Sequence, residues 1–112
     1  MNWSKKKDGS PVAKIKTIAD LNHAILFAQR FILSPETLIR RSWISRSYSI
    51  DTGESSYELT LLAGEVLSRC SGKMNVFDIC DQLSVRFPTP SLTYELAEII
   101  CEAEQHGWIS RQ

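Results

Sequence analysis

At Thr60 the spacing of apolar residues changes period, and no other feature of the chain constrains its fold so tightly. In "SSYELT", Tyr57 and Leu59 alternate with Ser56, Glu58 and Thr60. That is the two-residue period of a strand covered on one face only. Beyond Thr60, which can cap a helix, Leu62, Ala63, Val66, Leu67 and Cys70 line a single helical side, and Gly72 offers a stop. Asn75 can cap the next helix, with Asp78 near the positive end of its dipole. There Val76, Ile79, Cys80, Leu83 and Phe87 keep one apolar face. Strand, helix and helix thus follow with almost no linker.

The flanks extend this order. "TLIRRSWISRSYSIDTGESSYELT" is rich in β-branched and aromatic residues, with a turn at Asp51-Thr52-Gly53. It predicts strands at about 38–43, 45–51 and 55–60, the first two joined by a bulge or bend near Ser45 because the link is too short for a loop. Pro88 and Pro90 break the chain after the second of the three helices. The third begins near Thr89 or Ser91 and buries Leu92, Leu96, Ile99, Ile100 and Ala103. Gly107 ends it, and Trp108-Ile109 is a short apolar return to the core.

Upstream, residues 1–16 carry five of the six lysines with Gly9 and Pro11, the composition of a flexible basic tail. Thr17-Ile18-Ala19-Asp20 resembles a capping box, opening an N-terminal helix over 17–34 that Ser34-Pro35 should end. Its stripe is Ile18, Leu21, Ile25, Ala28 and Ile32, widened by Phe27 and Phe31. The helix docks on its own domain or serves as a dimerisation or partner surface; two heptads are too few for a coiled coil. The expected fold is α+β and winged helix-turn-helix-like, over 35–112: a three-stranded antiparallel sheet followed by three helices, with the extra N-terminal helix.

Chemistry is sparse in this pattern. There is no Gly-rich phosphate loop, HExxH pair or nucleophile elbow, so no enzyme activity is expected. His23 and His106 have no acid or nucleophile at a motif spacing. Cys70, Cys80 and Cys101 form no CxxC pair and each falls on the apolar side of a predicted helix. With either histidine they make no recognised metal spacing, so neither metal nor cofactor is expected. An odd cysteine count without a secretory signal points to a reducing cytoplasm, and no apolar run approaches membrane-spanning length.

Charge bears on nucleic acid. Thirteen basic residues balance thirteen acidic ones. The third helix, which would read DNA in a helix-turn-helix protein, carries Glu95, Glu98, Glu102 and Glu104 and no cation. Phosphates would repel it. Only a nonspecific contact through the tail lysines, with Arg40, Arg41 and Arg46 in the sheet, survives as an accessory role. A peptide fits better, since the third strand would leave an edge free to accept an extended segment. An edge merely tolerated, blunted by Glu58, is the competing reading.

Tyr57-x-Leu59-Thr60-x-x-Ala63-x-x-Val66-Leu67, then Ser71-Gly72-Lys73, Val76, Ile79 and Leu83, resembles the PqqD-like family over about residues 36–110. Helix three followed by Gly107-Trp108-Ile109 is similar to that family's closing segment. Ser71-Gly72 replaces the family's Asp-Gly, and Asn75 to Ile79 replaces its "TV-x-E-I"; residues 1–34 are an addition. The resemblance implies a RiPP recognition element, a non-catalytic chaperone. Such a module holds the leader segment of a ribosomally made precursor peptide and presents it to a modifying enzyme. It implies leader addition beside Ser55, Ser56, Tyr57, Glu58, Leu59 and Thr60, against a helix wall at Tyr94, Ala97, Cys101 and their neighbours. The added N-terminal segment would fold on the domain, swap between protomers in a homodimer, or occupy the groove.

Overall fold

A computed structural model describes the backbone over residues 18–112 and the side chains over 23–112. The basic stretch 1–16 and the Thr17 cap lie outside the described residues, as do the side chains of Ile18 and Leu21. The described chain is α+β, with four helices and two three-stranded antiparallel sheets. In order the elements are α1 (Ile18–Ala28), β1 (Arg30–Leu33), β2 (Leu38–Arg41), β3 (Tyr48–Asp51) and β4 (Ser56–Leu59). Then come α2 (Leu61–Leu67), β5 (Ser71–Asn75), α3 (Val76–Leu83), α4 (Leu92–Gln105) and β6 (Ile109–Arg111).

The expected meander is β2-β3-β4, paired antiparallel with Ile39 opposite Ile50 and Ile50 opposite Tyr57. Ile39, Tyr48, Ile50 and Leu59 turn toward the helices. Leu38, Arg40 and Glu58 lie exposed on the other side, so the sheet is covered on one face. Its strands are shorter than predicted. No bulge joins the first two; instead 42–47 forms a loop closed by the Ser42 N–H donating to the Ser47 carbonyl at 2.8 Å. Arg46 turns that loop with φ of 55°, and Trp43 and Ile44 stand at its tip almost wholly exposed.

The second sheet, β5-β1-β6, is absent from the sequence reading. The predicted N-terminal helix stops at Ala28 rather than at Pro35. Gln29 ends it: its N–H donates to the Leu26 carbonyl and its own carbonyl accepts from Val76 N–H, each at 3.1 Å. Residues 30–33 then pair with β5 on one side and β6 on the other. The buried side chains are Leu26, Phe27 and Phe31, whereas Ile25, Ala28 and Ile32 are exposed. Thus the 3.6-residue stripe fails where the backbone changes to a two-residue period and drives Phe31, 1% exposed, into the core. Gly72, expected as a helix stop, lies within β5; α2 already ends at Leu67 with Ser68 as its cap. Between Arg30↔Asn75 and Ile32↔Ser71 the register slips, and Gly72 takes φ of +81° in that bulge.

The helices follow the pattern closely. Thr60 Oγ1 accepts from Ala63 N–H at 3.1 Å, and Asn75 Oδ1 from Asp78 N–H at 2.9 Å. Leu62, Val66, Leu67, Val76, Ile79, Leu83, Leu92, Leu96, Ile100 and Ala103 are buried with Ile50, Phe31 and Ile109 in one core. Cys70 is buried just beyond α2, and burial pushes its thiol up to about 12. Cys101, predicted to face inward, is exposed on α4. Among the described residues no helix is long and apolar enough to cross a membrane.

Candidate functional site

The strand order β2-β3-β4 leaves β4 hydrogen-bonded on one side only. The hairpin register says which groups face the open side. Thr52 N–H donates to the Ser55 carbonyl at 2.9 Å, making 52/55 a hydrogen-bonded pair. Alternation along an antiparallel ladder then assigns Tyr57 and Leu59 to bond with β3, while the N–H and C=O of Ser56 and Glu58 point outward. The other edge of β3 agrees: Ser42 donates to Ser47, so Ser49 and Asp51 bond toward β2 and not toward β4.

Beside this edge runs a groove of about 650 Å³ between β4 and α4. Tyr57, Leu59, Leu62, Ile99 and Trp108 supply apolar surface, and Glu58, Glu95, Glu98, Glu102 and His106 supply charge and polarity. The α4 residues fall at 95, 98, 99, 102 and 106, one stripe along the helix. Tyr57 and Trp108 pack with ring centroids 5.6 Å apart, and His106 stacks on Trp108 at 4.6 Å. A smaller cavity of about 310 Å³ shares Tyr57, His106 and Trp108 and adds Glu36, Thr52 and Glu54. No Lys or Arg lines either space.

A buried polar cluster positions the meander behind the edge. Glu65, 4% exposed, accepts from Tyr48 Oη at 2.7 Å, Arg69 Nη1 at 2.7 Å and Arg86 Nη1 at 3.0 Å. Burial alone would raise its carboxyl, but the hydrogen bonds from Arg69, Tyr48 and Arg86 outweigh it and hold the group down at about 2. Burial and the neighbouring carboxylate push the Tyr48 phenol up. Tyr48 packs closely on α2 at Gly64, where a Cβ would collide with its side chain. Strand β3 is therefore pinned to α2, and β4 is pinned to β3.

Of the predicted site residues, Tyr57, Glu58, Leu59 and Thr60 lie along the groove. Ser56 continues the edge, and Ser55 belongs to the turn, its N–H donating to Thr52 Oγ1 at 3.2 Å. Tyr94, Ala97 and Cys101 do not line it. Tyr94 sits edge-on to His23 of α1 at 5.5 Å, Ala97 is 4% exposed and buried, and Cys101 faces solvent. Those three were placed about one helical step from the stripe that the sheet actually meets. Helix α1 occupies the Tyr94 flank, and which flank it takes is a tertiary choice. Glu95, Glu98, Ile99, Glu102, His106 and Trp108 were missed as groove residues, although their common stripe is visible in the sequence. Comparison with family models, with characterised proteins and with solved structures finds no match to this chain.

Proposed function

We propose that the chain is a peptide-binding module, accepting an extended segment as a fourth strand beside β4 with its inward side chains against α4. The carrying observation is the free edge at Ser56 and Glu58 directly beside the groove. Main-chain bonds to the edge would set register, and apolar contacts with Leu59, Ile99 and Trp108 would add affinity. The meander followed by α2, α3 and α4 suits a winged-helix-like layout. Together with the PqqD-like spacing of Tyr57 to Leu83, it supports a RiPP recognition element. On this reading the segment is the leader of a ribosomally made precursor, presented to a modifying enzyme, and the module itself performs no catalysis.

An NMR titration with leader segments of small peptides encoded beside the gene tests this. Saturable shifts are expected along 56–60 and at Glu95, Glu98, Ile99 and Glu102. Ser56→Pro and Glu58→Pro each remove one outward donor and leave the Tyr57 and Leu59 ladder bonds in place. Each should weaken binding by about tenfold while circular dichroism stays native. Normal binding by both folded variants would refute strand addition.

A further inference from the structure

We propose that the groove selects a basic peptide, one with Lys or Arg at alternate positions facing α4. This rests on the strand-addition reading and specifies its ligand. Glu95, Glu98 and Glu102 border the main groove along α4, Glu58 flanks it from the outer face of β4, and Glu36 and Glu54 border its continuation. An incoming strand would pass these six carboxylates without meeting a Lys or Arg. None of the ion pairs among the described residues uses Glu58, Glu98 or Glu102, all three exposed. The arginines of the meander lie elsewhere: Arg40 reaches Asp51 on the outer face, and Arg41 stacks over Trp43 and Tyr48. Over residues 18–112 twelve carboxylates stand against eight Lys and Arg, so the groove concentrates an excess that the body already has.

Spacing gives the pattern. From Glu95 to Glu102 is about 10 Å along a helix axis at 1.5 Å per residue. Side chains on one face of a strand recur about every 7 Å. Two cations two residues apart therefore fit between the first and last of these glutamates, with Glu98 reached from either. Their aliphatic stems can cover Ile99 and Leu59 while the charged heads reach the carboxylates. An acidic segment would be repelled along the whole path, so the same carboxylates exclude as well as attract.

The test is selection from displayed random peptides of about ten residues, long enough to span the groove when extended. The baits are the full chain, Ser56→Pro, the double variant Glu98→Gln with Glu102→Gln, and Asp78→Asn with Asp81→Asn as an equal charge change away from the groove. Peptides lost on the Ser56→Pro bait should be enriched in Lys or Arg at i and i+2. Their affinity should fall about tenfold in the Glu98→Gln, Glu102→Gln variant, hold in Asp78→Asn with Asp81→Asn, and weaken as salt rises from about 0.05 to about 0.5 M. Edge-dependent peptides without basic enrichment, or indifferent to the Glu98→Gln, Glu102→Gln variant, would overturn the charge inference and leave strand addition standing. Selected peptides indifferent to Ser56→Pro would overturn strand addition itself. A full chain with Lys5, Lys6, Lys7, Lys14 and Lys16 changed to Gln should bind the basic peptides equally well. Markedly tighter binding would make that lysine-rich segment the groove's occupant and overturn an outside peptide.

Discussion

Glu65 is the residue whose removal should be felt furthest from its own position. Its folded pKa, about 2, lies below its ordinary 4.5, so its ionised form stabilises the fold above the higher value. As pH falls through the lower one, that contribution disappears. Chemical denaturation should show stability level down to about pH 5 and then falling by at most about 3 kcal/mol toward pH 2, less whatever the half-exposed Arg86 loses to screening. Glu65→Gln should flatten that part of the curve. A Cβ at Gly64 has no room against the Tyr48 ring. Gly64→Ala should cost about 1–3 kcal/mol in the same assay and disturb β3, despite alanine's better helix propensity. Neither role is legible in "LAGEV", because a glutamate and a glycine in a helix ordinarily read as solvent and weakness.

Among the elements, those with their own stop and start chemistry were legible. Thr60 and Asn75 cap α2 and α3 as their spacing implies. Asn75→Ala should cost about 1 kcal/mol, measured as a lowered denaturation midpoint with an unchanged slope. Strand β1 was not legible: "RFIL" continues a helical apolar pattern, and only pairing with β5 and β6 makes it a strand. Strand β5 was hidden for the complementary reason, since "SGKMN" has the small and polar residues of a turn. Two weak segments become a sheet because each satisfies the other's backbone groups.

For the whole molecule, the N-terminal helix and the strand after it are structural. Helix α1 packs on α3 and α4, with Phe27 edge-on to Phe77 at 5.4 Å, and β1 is the middle strand of its sheet. Residues 18–33 therefore fold onto the domain and do not fill the groove. Removing residues 1–34 should abolish cooperative unfolding and leave β5 and β6 as open edges prone to aggregation. Calorimetry and light scattering would show it. A truncated chain with native dichroism and a sharp transition would mean that β1 is dispensable, against its place in the core.

By itself the sequence determined the order of the meander and of the three helices after it, the N-caps of α2 and α3, and most of the helices' buried faces. It also placed an open edge on the third strand, predicted over 55–60 and observed over Ser56–Leu59. These depend on periodicity and on bonds spanning three or four residues, which neighbouring side chains specify. The tertiary structure alone decided that residues 30–33 form a strand, that Glu65 is buried, and which stripe of α4 faces β4. A helix presents several faces, and a short apolar segment suits either backbone. The choice falls to partners distant in the chain, whose packing and hydrogen bonds outweigh the small local preference.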